Sequence, residues 1–257
     1  MSDEKLSETR AVEGTIEIAA APDVVWQALT DARELERWFP LEARVDPGPS
    51  GKIFMSWKNE YAGESAIVAW EPERHLRTQW GFEGEGPGPA AQYTDYWVEG
   101  RGGTTVVRVV TSGFPTDPAW DEWYHGTRRG WAFELRSLKH YLERHRGEDR
   151  EVLYLRRRVR AATADVWRRL WAADGVGPHL PAGVPFIEEP PHLLASHVPD
   201  LGDGLLRVTP EVCTLGAEYR DVTLWLQAYG EGRDRLDWLR AEWGALLERL
   251  FPDGENV

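Results

Sequence analysis

The chain has 257 residues, enough for one large domain or two of ordinary size, and 42% of them are hydrophobic, as in a globular protein. Its formal charge of −13, shared almost equally between the two halves, speaks against nucleic acid or an anionic membrane as partner, since both require a basic surface. One cysteine, Cys213, excludes an intramolecular disulfide and a thiol-rich zinc site, and no apolar run approaches the roughly 20 residues that cross a bilayer.

The opening, MSDEKLSETR, is polar and acidic and lacks the apolar stretch of a secretory signal, so a cytoplasmic location is expected. Residues 12–19 alternate, with Ile16 and Ile18 on one face and Glu13, Thr15 and Glu17 on the other, which predicts a half-buried strand. Pro22 then opens a helix where a missing N–H costs nothing, with Val25, Trp26 and Leu29 facing inward. A second short helix over 32–38 stops before Pro40. Strands are predicted over 43–45, 52–58, 64–71, 75–82, 92–99 and 104–112, separated by turn chemistry such as Asp46-Pro47-Gly48-Pro49 and Gly100-Arg101-Gly102-Gly103. Residues 84–89, GEGPGP, read as a mobile loop.

After Pro115 the period changes. Asp117 can cap, Pro118 takes the first helical position, and Trp120, Tyr124, Thr127, Trp131, Leu135, Leu138 and Leu142 recur at helical spacing. Gly126 and Gly130 weaken this long helix, either for close backbone approach or at a bend. Beyond the short linker 146–149, a strand (151–159), a helix (163–171), further strands (193–198, 205–209, 211–214 and 221–228) and a closing helix with Leu236, Leu239, Trp243, Leu246 and Leu250 are expected. The run Arg156-Arg157-Arg158 reads as a solvated strand edge.

Residues 16–40 return in altered form at 157–181. The shift is constant at 141 positions and superposes Trp26 on Trp167, Leu29 on Leu170 and Pro40 on Pro181. Such self-similarity points to a duplicated unit. His75-Leu76 matches His192-Leu193 at a shorter shift, so the second copy lacks about 24 residues around a strand pair at 53–68. A histidine recurring at a turn-to-strand junction suggests a structural role.

Several motifs stand in order along the first copy: Ala21-Pro22-Asp23-Val24-Val25-Trp26, Arg37-Trp38-Phe39, Trp70-Glu71-Pro72-Glu73-Arg74-His75-Leu76, a Gly103-to-Phe114 stretch ending in Thr111-Ser112-Gly113-Phe114, and Gly130-Trp131. Over 12–146 the chain resembles the AHSA1-type branch of the START/Bet v1-like (SRPBCC) superfamily; 150–251 is similar only in plan. The resemblance implies an α+β protein of two helix-grip units, each a curved antiparallel sheet wrapped around a long C-terminal helix, the second shortened. It also implies binding of a bulky hydrophobic or polycyclic molecule (lipid, sterol or polyketide) between sheet and helix. Some members are cyclases or dehydratases, one branch stimulates a chaperone ATPase, and a few accompany enediyne antibiotic clusters in self-resistance. The family often has histidine where this chain has Thr111.

Fourteen tryptophans are the compositional outlier. They can serve as core or as the wall of a pocket for a flat ligand. Strand periodicity and the long helix nominate Met55, Trp57, Trp80, Phe82, Val109, Thr111, Trp123, Tyr124 and Trp131 as ligand contacts. For 92–99 the phase stays open: either Tyr93, Asp95 and Trp97 face in, or Thr94, Tyr96 and Val98 do. If inward, Asp95 would be a desolvated acid or base and the one catalytic candidate. No nucleophile elbow, phosphate loop or metal-ligand spacing is present, so no cofactor or metal is expected. Gly84, Gly86, Gly88 and Gly113 would be hydrogen-abstraction targets for a diradical precursor.

Overall fold

The computed structural model describes residues 9–58, 61–80, 91–212 and 218–257. Contacts divide the chain into two compact units, Met1–Gly147 and Glu148–Val257.

In the first unit the alternating segment forms β1 (Thr9–Ile18). Pro22 starts α1 (Pro22–Thr30), and Asp31 caps α2 (Ala32–Glu36) by accepting from the Glu34 amide at 3.0 Å. Trp38 closes this corner: its indole N–H donates to the Ala28 carbonyl at 2.8 Å. Six strands follow: β2 (Glu42–Asp46), β3 (Lys52–Ser56), β4 (Ala62–Glu71), β5 (His75–Trp80), β6 (Gln92–Arg101) and β7 (Thr104–Pro115). With β1 they make one antiparallel sheet in the order β1-β7-β6-β5-β4-β3-β2. From β2 to β7 each strand pairs with the next in sequence, and the crossover from β1 to β2 carries α1 and α2.

The closing helix α3 runs Asp121–Arg144. Asp117 and Pro118 act as expected, but they start a 3-10 turn, Pro118–Trp120, and the α-helix begins only at Asp121. Trp131, Leu135, Leu138 and Leu142 lay its apolar stripe on the sheet. Gly14 in β1 permits that approach, because a Cβ there would sit 2.7 Å from Leu135 Cδ1. Gly126 and Gly130 have no such reason. A Cβ on either meets nothing within 4 Å, and the helix runs through both unbroken.

The second unit contains β8 (Glu151–Arg160), α4 (Thr163–Leu170), β9 (Val184–Glu189), β10 (Leu193–Val198), β11 (Gly204–Val212), β12 (Tyr219–Ala228), α5 (Leu236–Leu250) and β13 (Glu255–Asn256). Its antiparallel sheet has the order β13-β8-β12-β11-β10-β9. Four strands stand between its helices, against six in the first unit. Trp243, Leu239, Leu246 and Leu250 of α5 pack on Leu153, Leu206, Val222 and Leu224 of the sheet. Residues 205–209 lie in one strand that also holds Glu211, where two strands were expected.

The arginine run is not a solvated edge. β8 is paired on both sides, and Arg156 and Arg158 both bond the buried Asp221 of β12, Arg158 Nε at 2.9 Å from Oδ1 and Arg156 Nε at 3.1 Å from Oδ2. On the opposite face Arg157 donates to the Phe251 carbonyl at 2.9 Å and to Asn256 Oδ1 at 2.8 Å, fastening the C-terminal strand. Residues 84–89 and Cys213 lie outside the described residues. No helix among the described residues is long and apolar enough to cross a membrane.

Candidate ligand site

The inner face of the first sheet is set by pleat and register. On β5, Leu76, Thr78 and Trp80 face α3; on β3, Ile53 and Met55 do, with Trp57 just beyond the strand's end; on β7, Val107, Val109 and Thr111 do. For β6 the structure decides the phase. Thr94, Tyr96 and Val98 are buried inward: Tyr96 meets Trp131 edge-on at 5.7 Å, and Thr94 Oγ1 lies 3.2 Å from Thr111 Oγ1.

Tyr93, Asp95 and Trp97 therefore lie on the opposite face of the sheet, and the expectation that they contact a ligand between sheet and helix is corrected. Asp95 is only 9% exposed, but its cover comes from that outer face. His75 Nε2 is 2.7 Å from its Oδ1, the Arg77 guanidinium is 3.8 Å from its Oδ2, and Trp97 stacks on the His75 ring at 3.7 Å. Arg77 also lies over the Tyr93 ring at 4.5 Å. Satisfied in this way and facing away from α3, Asp95 is not an acid or base of the sheet–helix cleft.

Inside, aromatic rings form a continuous chain. Phe39 stacks on Trp38 (4.9 Å) and touches both Trp57 (5.1 Å) and Trp131 (5.5 Å); Trp57 meets Tyr61 (6.2 Å), which meets Trp80 (5.8 Å). Offset and edge contacts of this kind contribute about 0.5–1.5 kcal/mol each beyond area burial. The rings fill most of the space. Among the described residues a cavity of about 10 Å³ lies beside them, lined by Leu29, Trp38, Phe39, Met55, Leu76, Thr78 and Tyr96 among others. That volume suits about one water molecule. Among the described residues, the protein's own aromatic side chains stand where the hollow was expected.

Polar groups are sparse in this interior. Thr78, Thr94 and Thr111 stand opposite one another across β5, β6 and β7. The Trp131 indole N–H donates to Thr111 Oγ1 at 2.9 Å, so threonine takes the polar position where the family often has histidine. Burial raises the Tyr96 phenol well above its ordinary pKa.

Of the nominated contacts, Met55, Trp57, Trp80 and Trp131 come together around Phe39 and Tyr61, which sequence reasoning missed. Val109 and Thr111 lie beneath them on the sheet. Trp123 is half-buried against the same core. Tyr124 packs on the same core at Phe114, edge-on at 5.7 Å, under the Arg10 guanidinium at 4.5 Å. Phe82, Gly84, Gly86 and Gly88 lie outside the described residues. Gly113 is in β7 with φ +98°, and a Cβ there would collide with the Ala91 carbonyl at 2.3 Å, so its conformation requires glycine. Phe39 was visible in its motif, but nothing in spacing marked it as the hub of the ring chain.

Residues 19–143 match the family described as Activator of Hsp90 ATPase homolog 1-like protein, AHSA1. That match spans just under half of the chain and lies within the first unit. The first unit has a helix-grip architecture, an antiparallel sheet packed against a long C-terminal helix. No curated protein matches the sequence. Among solved structures the chain is similar to protein MLL2253 from Mesorhizobium loti (23% identity, 53% of this chain and 98% of that one, TM-score 0.47). It is also similar to the Aha1 dimer from Colwellia psychrerythraea (21%, 54% and 99%, TM-score 0.46). DynU16, from the dynemicin biosynthetic locus, is 19% identical, with 93% of this chain and 96% of that one covered and a TM-score of 0.45. The ring cluster, the threonine row and the small cavity all lie inside the matched span.

Proposed function

We propose that the first unit binds a bulky hydrophobic or polycyclic small molecule between its sheet and α3, in a sequestration, self-resistance or biosynthetic-accessory role. The observation that carries this reading is the ring chain Phe39–Trp57–Tyr61–Trp80, whose last three members are only half-buried. A flat ligand can replace ring–ring contacts with ligand–ring contacts of similar strength, about 0.5–1.5 kcal/mol each. With about 10 Å³ enclosed among the described residues, these rings swing aside for a ligand to enter. Binding then depends on displacing Trp57, Tyr61 and Trp80 and not on filling a standing void. The test is a panel of polycyclic polyketides, sterols and lipids, read by tryptophan emission and thermal stability. A suitable polycycle changes the emission and raises the melting temperature; silence across the whole panel contradicts the reading.

The small cavity favours a second reading, in which this AHSA1 unit acts through its surface as a co-factor of a chaperone ATPase. Stimulation of such an ATPase by the full chain, with the ligand panel silent, would put this reading first.

A further inference from the structure

Three inward groups of the first unit have hydrogen-bonding capacity that no other described residue takes up. Thr78 lines the cavity, is 2% exposed, and its Oγ1 has no hydrogen-bond partner among the described residues. Gln92 faces the same way from β6, is 5% exposed, and its Nε2 is equally unpartnered. Tyr96 also lines the cavity, and burial alone accounts for its raised pKa, with no hydrogen bond among the described residues contributing. By strand register Thr78 stands opposite Thr94, and Gln92 is the next inward residue along β6 from Thr94. The Thr78 and Gln92 side chains are therefore diagonal neighbours, about 7–8 Å apart at their bases.

A buried donor without a partner costs free energy, so such groups are few in folded proteins and need a reason. All three here are neutral, all can donate, and the surroundings are otherwise aromatic and aliphatic. An anionic headgroup would meet no positive charge among these inward residues, and a pure hydrocarbon would leave the donors unmet. Neutral acceptor oxygens on a flat apolar frame would satisfy them. Resting on the binding reading above, we infer that the ligand is a flat, uncharged polycycle bearing ketone-type oxygens, and that Thr78, with Gln92 and Tyr96, selects for those oxygens.

The experiment uses the full chain and a matched pair of probes, 9-fluorenone and fluorene, which share shape but differ in one carbonyl. Affinities are measured by equilibrium dialysis, and unfolding of the unliganded protein is followed in parallel. Wild type should bind fluorenone about tenfold more tightly than fluorene, the factor that one hydrogen bond of about 1.4 kcal/mol supplies. Thr78→Val should abolish most of that preference, by weakening fluorenone more than fluorene, and raise the unfolding temperature of the free protein, because an unmet hydroxyl is removed at constant shape. Gln92→Leu should act in the same direction. Equal affinity of wild type for the two probes would overturn the inference while leaving the binding site standing. Binding of neither would remove both. A Thr78→Val protein that keeps the preference, or that melts earlier than wild type, would show that the hydroxyl is already satisfied and would likewise overturn it.

Discussion

Replacing Trp131 by phenylalanine probes the ring cluster at its centre. Trp131 is 8% exposed, lies 5.5 Å from Phe39 and 5.7 Å from Tyr96, and donates to Thr111 at 2.9 Å. The substitution removes that hydrogen bond, a net loss of about 1 kcal/mol, because Thr111 keeps Thr94 as a partner and is not orphaned. It also removes roughly 40 Å³ of ring, which at about 24 cal/mol per Å³ adds about 1 kcal/mol. Trp131→Phe should therefore destabilise the first unit by about 2 kcal/mol, or a melting shift of roughly 6 °C for a unit of this size. Urea unfolding followed by near-ultraviolet circular dichroism gives the measurement, with the midpoint lowered and the slope unchanged. The enlarged interior should also tighten binding of any polycycle that the wild type accepts. Unchanged stability would refute the packing described for Trp131, and a stability loss accompanied by weaker binding would refute the expectation that space freed under α3 favours the ligand.

Gly14→Ala should destabilise by about 1–3 kcal/mol through overpacking against Leu135, whereas Gly126→Ala, which meets open space, should stabilise by about 0.5–1 kcal/mol; thermal melts of both separate the two kinds of glycine. Asp221→Asn leaves Arg156 and Arg158 facing a neutral amide in a buried setting and should cost about 3–5 kcal/mol in unfolding of the second unit, and a loss below about 1 kcal/mol would show that pair to be solvated. Asp95→Asn should leave ligand affinity within about twofold of wild type, since the residue faces away from α3; a tenfold loss (about 1.4 kcal/mol) in a binding titration would restore it to the site.

The regular elements of the first unit were legible because polarity alternates cleanly along them: β1, with Glu13, Glu17 and Ile18, could be phased by inspection. β6 could not. Both of its faces carry an aromatic ring and a polar side chain, so period alone does not choose; Trp131 reaching Tyr96 and His75 reaching Asp95 do, and both contacts are tertiary. β9 escaped notice because Pro185 interrupts an exposed edge strand, and β13 because two residues carry no pattern. The roles of Arg156 and Arg158 depend on Asp221, more than sixty residues along the chain. Most consequential for the site, composition counted the tryptophans but gave no volume. That Phe39 and Trp131 fill the space under α3 follows from side-chain packing, which no sequence spacing encodes.

The central claim is that rings between sheet and α3 part to admit a flat apolar molecule. Indole N–H resonances of the full chain, recorded by nuclear magnetic resonance during titration with 9-fluorenone, test it residue by residue. Trp57, Trp80 and Trp131 should shift together while Trp97, on the outer face, and Trp243, in the second unit, stay in place. Shifts confined to Trp97, or spectra unchanged at saturating probe, would contradict it.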